Sequence, residues 1–260
     1  MKKILLFVHV LIILTTITEA QIPNPRRNRP SPSDLQLWRL RRMELIVGPG
    51  ITQIFGDIGG FSKGENLLGL KDLSVKQTGL DLSAGLRYRL SRKFSGRVNL
   101  AFGSFHATDE RGSNETRGFE TTTFFFEPSL TAEYYIIKSR RESSYIFLKG
   151  RRVVLLPILS TLDLYAFTGI GAISYNVSFN DIVPVTPVTT HGFAAVIPAG
   201  LGATIAFSGQ LNLGLEVGGR YAFTDYLDGY TSIYSKSNDI YYFLNLTMTY
   251  KLRTGQGFGM

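Results

Sequence analysis

The chain has 260 residues, a formal net charge of +8, 18% charged residues and no cysteine. The lack of cysteine excludes disulfide scaffolds, thiolate metal sites and cysteine nucleophiles. A hydrophobic fraction of 44% is too low for a multi-span helical membrane protein and too high for a disordered chain. The fold must therefore be held together by burial and by backbone pairing.

The first residues have the features of an export signal. Two lysines precede an apolar run from Ile4 to Leu14, and Thr18-Glu19-Ala20 fits a small-x-small cleavage site. An apolar helix needs about 20 residues to span a bilayer, and this run is shorter. We therefore expect residues 1–20 to be a signal peptide and the exported chain to begin at Gln21.

A basic arm follows the signal. Residues 21–42 are rich in proline and arginine and contain a single acidic residue, Asp34. Prolines at high density oppose both helix and strand, so this segment is expected to be a tethered periplasmic arm. The remaining residues, 43–260, are expected to form one domain.

From residue 43 onward, apolar and polar residues alternate over long segments, which is the pattern of strands with one apolar and one polar face. The clearest pair, Leu80 to Leu90 and Phe94 to Phe102, is separated by three residues and predicts a hairpin. Eight segments are expected: Glu44 to Phe55, Leu80 to Leu90, Phe94 to Phe102, Thr122 to Ile136, Leu164 to Val177, Phe193 to Phe207, Leu211 to Phe223 and Tyr242 to Leu252.

The length of these segments favours a membrane barrel. A tilted strand needs about 9 to 11 residues to cross a bilayer, whereas strands of soluble sheets most often have about 5 to 6. We predict an all-β fold, a transmembrane antiparallel up-and-down barrel of about eight strands in the outer membrane, with apolar residues toward the lipid. The alternative is an exported soluble barrel with the same residues turned inward.

Outward aromatic residues are expected where the strands meet the lipid headgroups, as in other outer-membrane barrels. The residues assigned to this role are Phe94, Phe124, Phe126, Tyr134, Tyr165, Tyr175, Tyr221 and Tyr242.

The polar faces of the strands carry charges of both signs. The interior of an eight-stranded barrel is only wide enough to be filled by side chains, and buried charges must be paired. We expect a lumen ion-pair network that plugs the barrel, formed by Arg87, Arg89, Arg97, Glu127, Glu133, Glu216, Arg220 and Lys251. The alternative is a small porin-like channel.

Connector lengths assign the two ends of the barrel. The connectors after the second and sixth strands are short, and those after the odd-numbered strands are long and polar, as in barrels with periplasmic turns and external loops. The connector from Ile137 to Leu162 falls on the periplasmic side by parity but is long and basic. Its basic residues are a candidate contact for an acidic periplasmic protein, or simply solvated charge: Lys138, Arg140, Arg141, Lys149, Arg151 and Arg152.

Catalytic chemistry has little support in the sequence. No metal-ligand pattern, phosphate-binding loop or cofactor motif stands out, so we expect no enzyme activity, no cofactor and no small-molecule substrate. Ser104, His106 and Asp109 lie near an expected external loop, and a hydrolase at the barrel rim is a remote alternative. Nucleic-acid binding is implausible after export.

Three segments resemble a known family. They are Gly56 to Gly60, the run from Pro198 to Gly202, and the run from Arg220 to Gly229. Together they resemble an outer-membrane barrel family of Bacteroidota that includes the barrel subunit of the type IX secretion machinery, over about residues 43–252. The resemblance implies a structural or assembly role in which the barrel ties periplasmic protein partners to the outer membrane.

Asp57, Asp225 and Asp228 are the residues that match the acidic positions of that family's motifs. Aspartates at such positions cap turns where strands leave the bilayer, so we expect them to shape the loops. A shared Ca²⁺ site is a second hypothesis for these carboxylates.

Overall fold

The computed structural model describes residues 41–59, 75–110, 117–139, 161–180, 189–207, 210–231 and 238–252. The strands are β1 (Met43–Phe55), β2 (Gly79–Arg89), β3 (Phe94–Thr108), β4 (Glu120–Ile137), β5 (Asp163–Phe179), β6 (His191–Ala206), β7 (Leu211–Ala222) and β8 (Ile240–Leu252). A short 3-10 turn at Val75–Gln77 precedes β2. Within these ranges no helix has the length and apolar character needed to cross a membrane.

The strands pair in chain order, each antiparallel to the next, and β1 pairs with β8 to close the barrel. The predicted barrel of eight antiparallel strands is therefore confirmed. In the register, Glu44 of β1 lies opposite Arg87 of β2 on one side and Lys251 of β8 on the other. Side chains directly opposite one another in a sheet point to the same face, so this register gathers charges inside the barrel.

The two faces of the barrel wall have opposite character. On β3, the side chain of Val98 is 55% exposed on the outside, whereas the neighbouring Arg97 is 4% exposed inside. The same alternation places leucines outward on β2, β7 and β8. A water-soluble barrel with apolar residues inside and charges outside would show the reverse, so the exterior is that of a membrane-spanning, outer-membrane type of barrel.

The strands β3 and β5 continue beyond their predicted ends. The prediction ended the third strand at Phe102, but β3 continues to Thr108 through its pairing with β4. The prediction stopped early because the polarity of the two strand faces reverses after Phe102. Phe105 is buried inside the barrel, whereas His106 points outward beside Thr122. Since this part of the wall stands at the external end, its outer face is polar and its inner face is apolar, and a search for outward apolar residues misses it.

The assignment of outward aromatics was correct for six residues and wrong for two. Phe94, Phe124, Phe126, Tyr134, Tyr221 and Tyr242 are exposed on the outside. Tyr165 and Tyr175 are buried inside instead. Both faces of β5 carry apolar residues, so its alternation did not indicate which face is the lumen.

We expect a charged side chain on the lipid-facing wall to destabilise the barrel, and to do so more strongly the closer it lies to the bilayer midplane. We expect Val98→Arg to lower the free energy of unfolding by about 2–4 kcal/mol, the range for a basic residue near the bilayer midplane. The matched control is His106→Arg on the outer face of the same strand, for which about 0–1 kcal/mol is expected because that end meets water. Urea titration of the chain in lipid vesicles measures both. Equal losses for the two variants would contradict a lipid-facing Val98.

Candidate functional site

The lower, periplasmic half of the lumen contains a network of ion pairs centred on Arg87. Its Nε lies 2.6 Å from Oε2 of Glu133, and its Nη1 donates to Oε2 of Glu44 at 3.1 Å. The same guanidinium lies over the ring of Tyr165, 5.0 Å from its centroid. Strands β1, β2, β4 and β5 therefore converge on one buried cation, and each carboxylate offsets the loss of hydration of the guanidinium.

A second arginine extends the network across the lumen. Arg97 lies 3.2 Å from Glu133 through its Nε and donates through Nη1 to Oε1 of Glu216 at 2.6 Å. The hydroxyl of Tyr165 donates to the same oxygen of Glu216. Because Glu133 serves both arginines and Glu216 lies on β7, the network links opposite walls of the barrel.

The periplasmic end of the lumen is closed by further pairs. Arg89 contacts Glu44, and Lys138 pairs with Asp163 at 2.7 Å while lying over the ring of Tyr135. Lys138 was grouped with the residues expected to contact a periplasmic partner, but the structure turns it inward. The other members of that group, Arg140, Arg141, Lys149, Arg151 and Arg152, lie outside the described residues.

Arg220 and Glu127 form the upper charged level. Their Nε and Oε1 atoms are 3.5 Å apart, and the Tyr241 hydroxyl donates to Oε2 of Glu127 at 2.6 Å. Arg220 also stacks on Phe243, 4.0 Å from the ring centroid. The structure places all eight residues of the expected lumen set inside the barrel, each at most 9% exposed: Arg87, Arg89, Arg97, Glu127, Glu133, Glu216, Arg220 and Lys251.

An apolar cluster that the sequence analysis missed fills the external half of the lumen. The rings of Phe105 and Phe125 stack with centroids 4.4 Å apart, and Phe243 lies 5.5 Å from Phe125. Two loop residues, Ile58 and Leu227, pack on the cluster from above and are almost completely buried. The reversal of the alternation after Phe102 was the available signal for this cluster.

The cap above the cluster contains two of the three segments that carry the family resemblance, those at Gly56 to Gly60 and Arg220 to Gly229, whereas Pro198 to Gly202 lies within β6. The amide of Ile58 donates to Oδ2 of Asp228 at 2.9 Å, although the two residues are 170 positions apart. The amide of Tyr230 donates to the other oxygen of Asp228 at 3.1 Å, and that of Leu227 donates to Asp239 at 2.8 Å. The β1–β2 and β7–β8 connectors are thus joined through buried carboxyl groups.

A second anchor of the cap is Asp109, at the end of β3. It accepts the amide of Gly59 at 2.8 Å and pairs with Arg117 through both carboxylate oxygens. Gly59 has a φ of 76°, which glycine adopts without strain. Arg117 also donates to the carbonyl of Asp57 at 2.7 Å, and therefore joins the β3–β4 connector to the β1–β2 connector.

Asp57, Asp225 and Asp228 all lie in this cap. Asp228 organises backbone amides, and Asp225 accepts the hydroxyl of Thr231. Among the residues that the structure describes, no three acidic, histidine or cysteine side chains are grouped to hold a metal ion, so the Ca²⁺ hypothesis gains no support.

The candidate hydrolase residues do not assemble. Nε2 of His106 lies 3.1 Å from Glu120, and its Nδ1 lies near the hydroxyl of Thr122 on the outer face of the wall. Asp109 instead points into the cap, where it binds Arg117. His106 belongs to β3 rather than to a loop, and it is separated from Asp109 by the barrel wall.

Burial governs the carboxyl groups at the centre of the cap. Asp228 and Asp239 are each 1% exposed. Burial raises the pKa of Asp228 to about 7, and the nearby Asp57 carboxylate acts in the same direction. The pKa of Asp239 is raised as well, first by burial and then by the charge of Asp228. Both groups thus favour the protonated form much more than an exposed aspartate does.

Comparison with known proteins finds similar barrels. No protein-family model matches the chain, and no curated protein matches it. Neisserial surface protein A has a TM-score of 0.45 at 10% identity, over 81% of this chain and 97% of that chain. A major outer membrane protein from Thermus thermophilus has a TM-score of 0.43 at 13% identity, over 81% and 99%. OprG from Pseudomonas aeruginosa has a TM-score of 0.39 at 9% identity, over 82% and 97%. Similarity of this degree carries no functional information.

Removing the carboxylate shared by two arginines tests the lumen network. We expect Glu133→Gln to lower the free energy of unfolding by about 3–5 kcal/mol, because Arg87 and Arg97 lose a buried counter-ion. The control is Lys76→Gln, which removes an exposed pair with Glu110, and for which we expect no measurable change. Urea unfolding in vesicles reports both. A Glu133→Gln variant as stable as the control would mean that water, and not Glu133, solvates these arginines.

Proposed function

We propose that this chain is a structural or assembly component of the outer membrane that anchors periplasmic partners of a protein secretion machine of the type IX kind. The observation that carries the proposal is the occupied lumen. Paired charges fill the periplasmic half, and the cluster around Phe105 and Phe125 fills the external half. A barrel filled in this way offers its ends, rather than its interior, for function.

The membrane location follows from the exterior of the wall and from the export signal expected at residues 1–20. A wall with large exposed apolar side chains on the outside and charges inside is stable only when lipid surrounds it. Delivery through a signal peptide would bring the chain to the periplasm, where such barrels enter the outer membrane.

The proposed contact is the basic periplasmic surface, defined as the arm at residues 21–42 and the connector residues Arg140, Arg141, Lys149, Arg151 and Arg152. Lys138 is left out of this surface because it pairs with Asp163. Concentrated positive charge attracts acidic partner surfaces and accelerates encounter. The contact between the segment at Ile58 and that at Asp228 supports the resemblance, since its motifs act as one structural unit.

Secretion itself tests the proposal. In a strain lacking the gene, we expect protein secretion to collapse and the full-length chain to restore it. A variant with Arg140, Arg141, Lys149, Arg151 and Arg152 changed to glutamine should insert as a folded barrel but fail to restore secretion. The measurement is the secreted proteome, together with the heat-modifiable gel mobility of the barrel.

The matched control for this experiment is Arg92→Gln with Lys93→Gln. These two basic residues lie in the exposed turn between β2 and β3 at the same end of the barrel, so the control removes charge from that end without changing the proposed contact. The control is expected to restore secretion fully. Normal secretion in the deletion strain would contradict the proposed role in secretion, but it would not contradict the barrel fold.

Conductance distinguishes an anchor from a small channel. We expect purified full-length chain to insert into planar bilayers without discrete conductance steps, because the Arg87 and Arg97 pairs bridge the lumen. A porin inserted in the same bilayer serves as the positive control. Reproducible single-channel steps from the wild-type chain would favour the porin-like alternative.

A further inference from the structure

Two acidic side chains of the external cap, Asp228 and Asp239, lie close together, and no basic residue among those that the structure describes lies between them. Gly56 provides the local geometry. A Cβ atom at this position would lie 2.4 Å from Oδ2 of Asp228 and 3.0 Å from Oδ1 of Asp239. The two carboxyl groups therefore both reach the same small space above Gly56, which only a residue without a side chain leaves open.

Each carboxyl group also has a structural task. Asp228 accepts the amides of Ile58 and Tyr230, and Asp239 accepts the amide of Leu227. Ile58 and Leu227 are the two loop residues that close the top of the aromatic cluster. The position of these apolar residues therefore depends on two carboxyl groups that both lie against Gly56.

Within the described part of the cap, the charged groups around the pair do not neutralise it. Arg117 is held by both oxygens of Asp109, through Nε at 2.7 Å and Nη2 at 2.9 Å. The carboxylates of Asp57 and Asp225 add negative charge that acts on Asp239. The titratable and charged groups facing the pair from the surrounding strands and connectors are Asp57, Asp109, Arg117, Tyr175, Asp225 and Tyr226.

We propose that Asp228 and Asp239 form a proton-dependent latch that holds residues 56–59, which follow β1, and residues 223–231, which follow β7, over the external mouth of the barrel. In the closed cap a proton on Oδ1 of Asp239 is donated to Oδ2 of Asp228, while Oδ2 of Asp239 accepts the amide of Leu227. Loss of the last proton on the pair leaves two negative charges close together in a buried site. The two segments then separate, which hydrates both carboxylates and exposes Ile58 and Leu227.

The direction of the pH effect follows from the closed and open states. In an open cap the hydrated carboxyl groups titrate near the ordinary aspartate value of about 4. In the closed cap the pKa of Asp228 is about 7. The pKa of Asp239 is raised well above its ordinary value, in part by the charge of Asp228, so the pair loses its first proton near pH 7 and its second only at higher pH. The latch is therefore fully effective below about pH 4 and weakens as the pH rises, and the two negative charges meet only after the second proton is lost. At least one proton is linked to closure, so the opening constant is expected to rise about tenfold or more per pH unit between about pH 5 and pH 6.

Hydrogen exchange of the full-length chain in lipid measures the opening directly. After correction for the intrinsic pH dependence of exchange, protection of the Ile58 and Leu227 amides is expected to fall with rising pH. The amide of Leu90, which donates to Phe94 in a periplasmic turn at 3.0 Å, is the internal reference and should not change. Constant protection of Ile58 and Leu227 in the wild-type chain would overturn the proposal without any variant.

Neutral variants assign the effect to the pair. Asp228→Asn with Asp239→Asn keeps acceptors for the backbone amides and supplies permanent donors, so its protection should be independent of pH. The matched control, Glu110→Gln, neutralises an exposed carboxylate at the external end that pairs with Lys76, and should keep the wild-type pH dependence at Ile58. If amide protection in the double variant fell with rising pH as steeply as in the wild-type chain, the latch proposal would be contradicted. If millimolar calcium restored protection of the Ile58 and Leu227 amides in the wild-type chain at alkaline pH, this would also overturn the latch, by identifying a cation site.

Discussion

The whole structure depends on the solvation of Arg87 inside a closed wall of eight strands. A barrel of this size has no room for a water column around a guanidinium, so the protein itself must supply the counter-charges. Glu44, Glu133 and the ring of Tyr165 do so from three different strands. Removing Arg87 from water is costly unless these groups are in place, and the strand register is what brings them there. Pairing charges across the lumen therefore favours one register over those shifted by a single residue, which would turn every charge toward the lipid.

The lumen changes character along its length because the surroundings of the wall change. Where the wall faces lipid, the outside takes the apolar residues and the inside takes the charges. Where β3, β4 and β5 rise at the external end, the outside carries His106 and Thr122, and the inside carries Phe105 and Phe125. The upper part of the barrel is thus an ordinary hydrophobic core with a polar exterior. Such a core can stabilise loops packed upon it, which explains why connectors that begin far apart in the sequence meet at Ile58 and Leu227.

The sequence was sufficient for the strands and for the inward charges, because both follow from a period of two residues in segments where the two faces differ strongly. Leu86 and Arg87 cannot exchange faces without burying a charge in lipid. The sequence was insufficient where the contrast is weak or the contact is distant. Tyr165 was misplaced because both faces of β5 are apolar, and its hydroxyl finds Glu216 only after the barrel closes. The inward turn of Lys138 depends on Asp163, and the contact of Ile58 with Asp228 spans most of the chain. No local pattern encodes these pairings.

The arrangement also separates the two ends of the molecule energetically. Each strand rises about 3.3 Å per residue, so even the 13 residues of β1 place the cap some tens of ångströms from the periplasmic rim. Sites more than about 10 Å apart that share no partners act additively. Between them lie the Arg87 network and the aromatic cluster, whose buried contacts are separate from those of the carboxyl groups in the cap. A cap that opens above Phe105 would therefore leave the periplasmic surface in place. Under the two proposals made above, the barrel would hold a partner on one side of the membrane while its external loops respond to pH on the other.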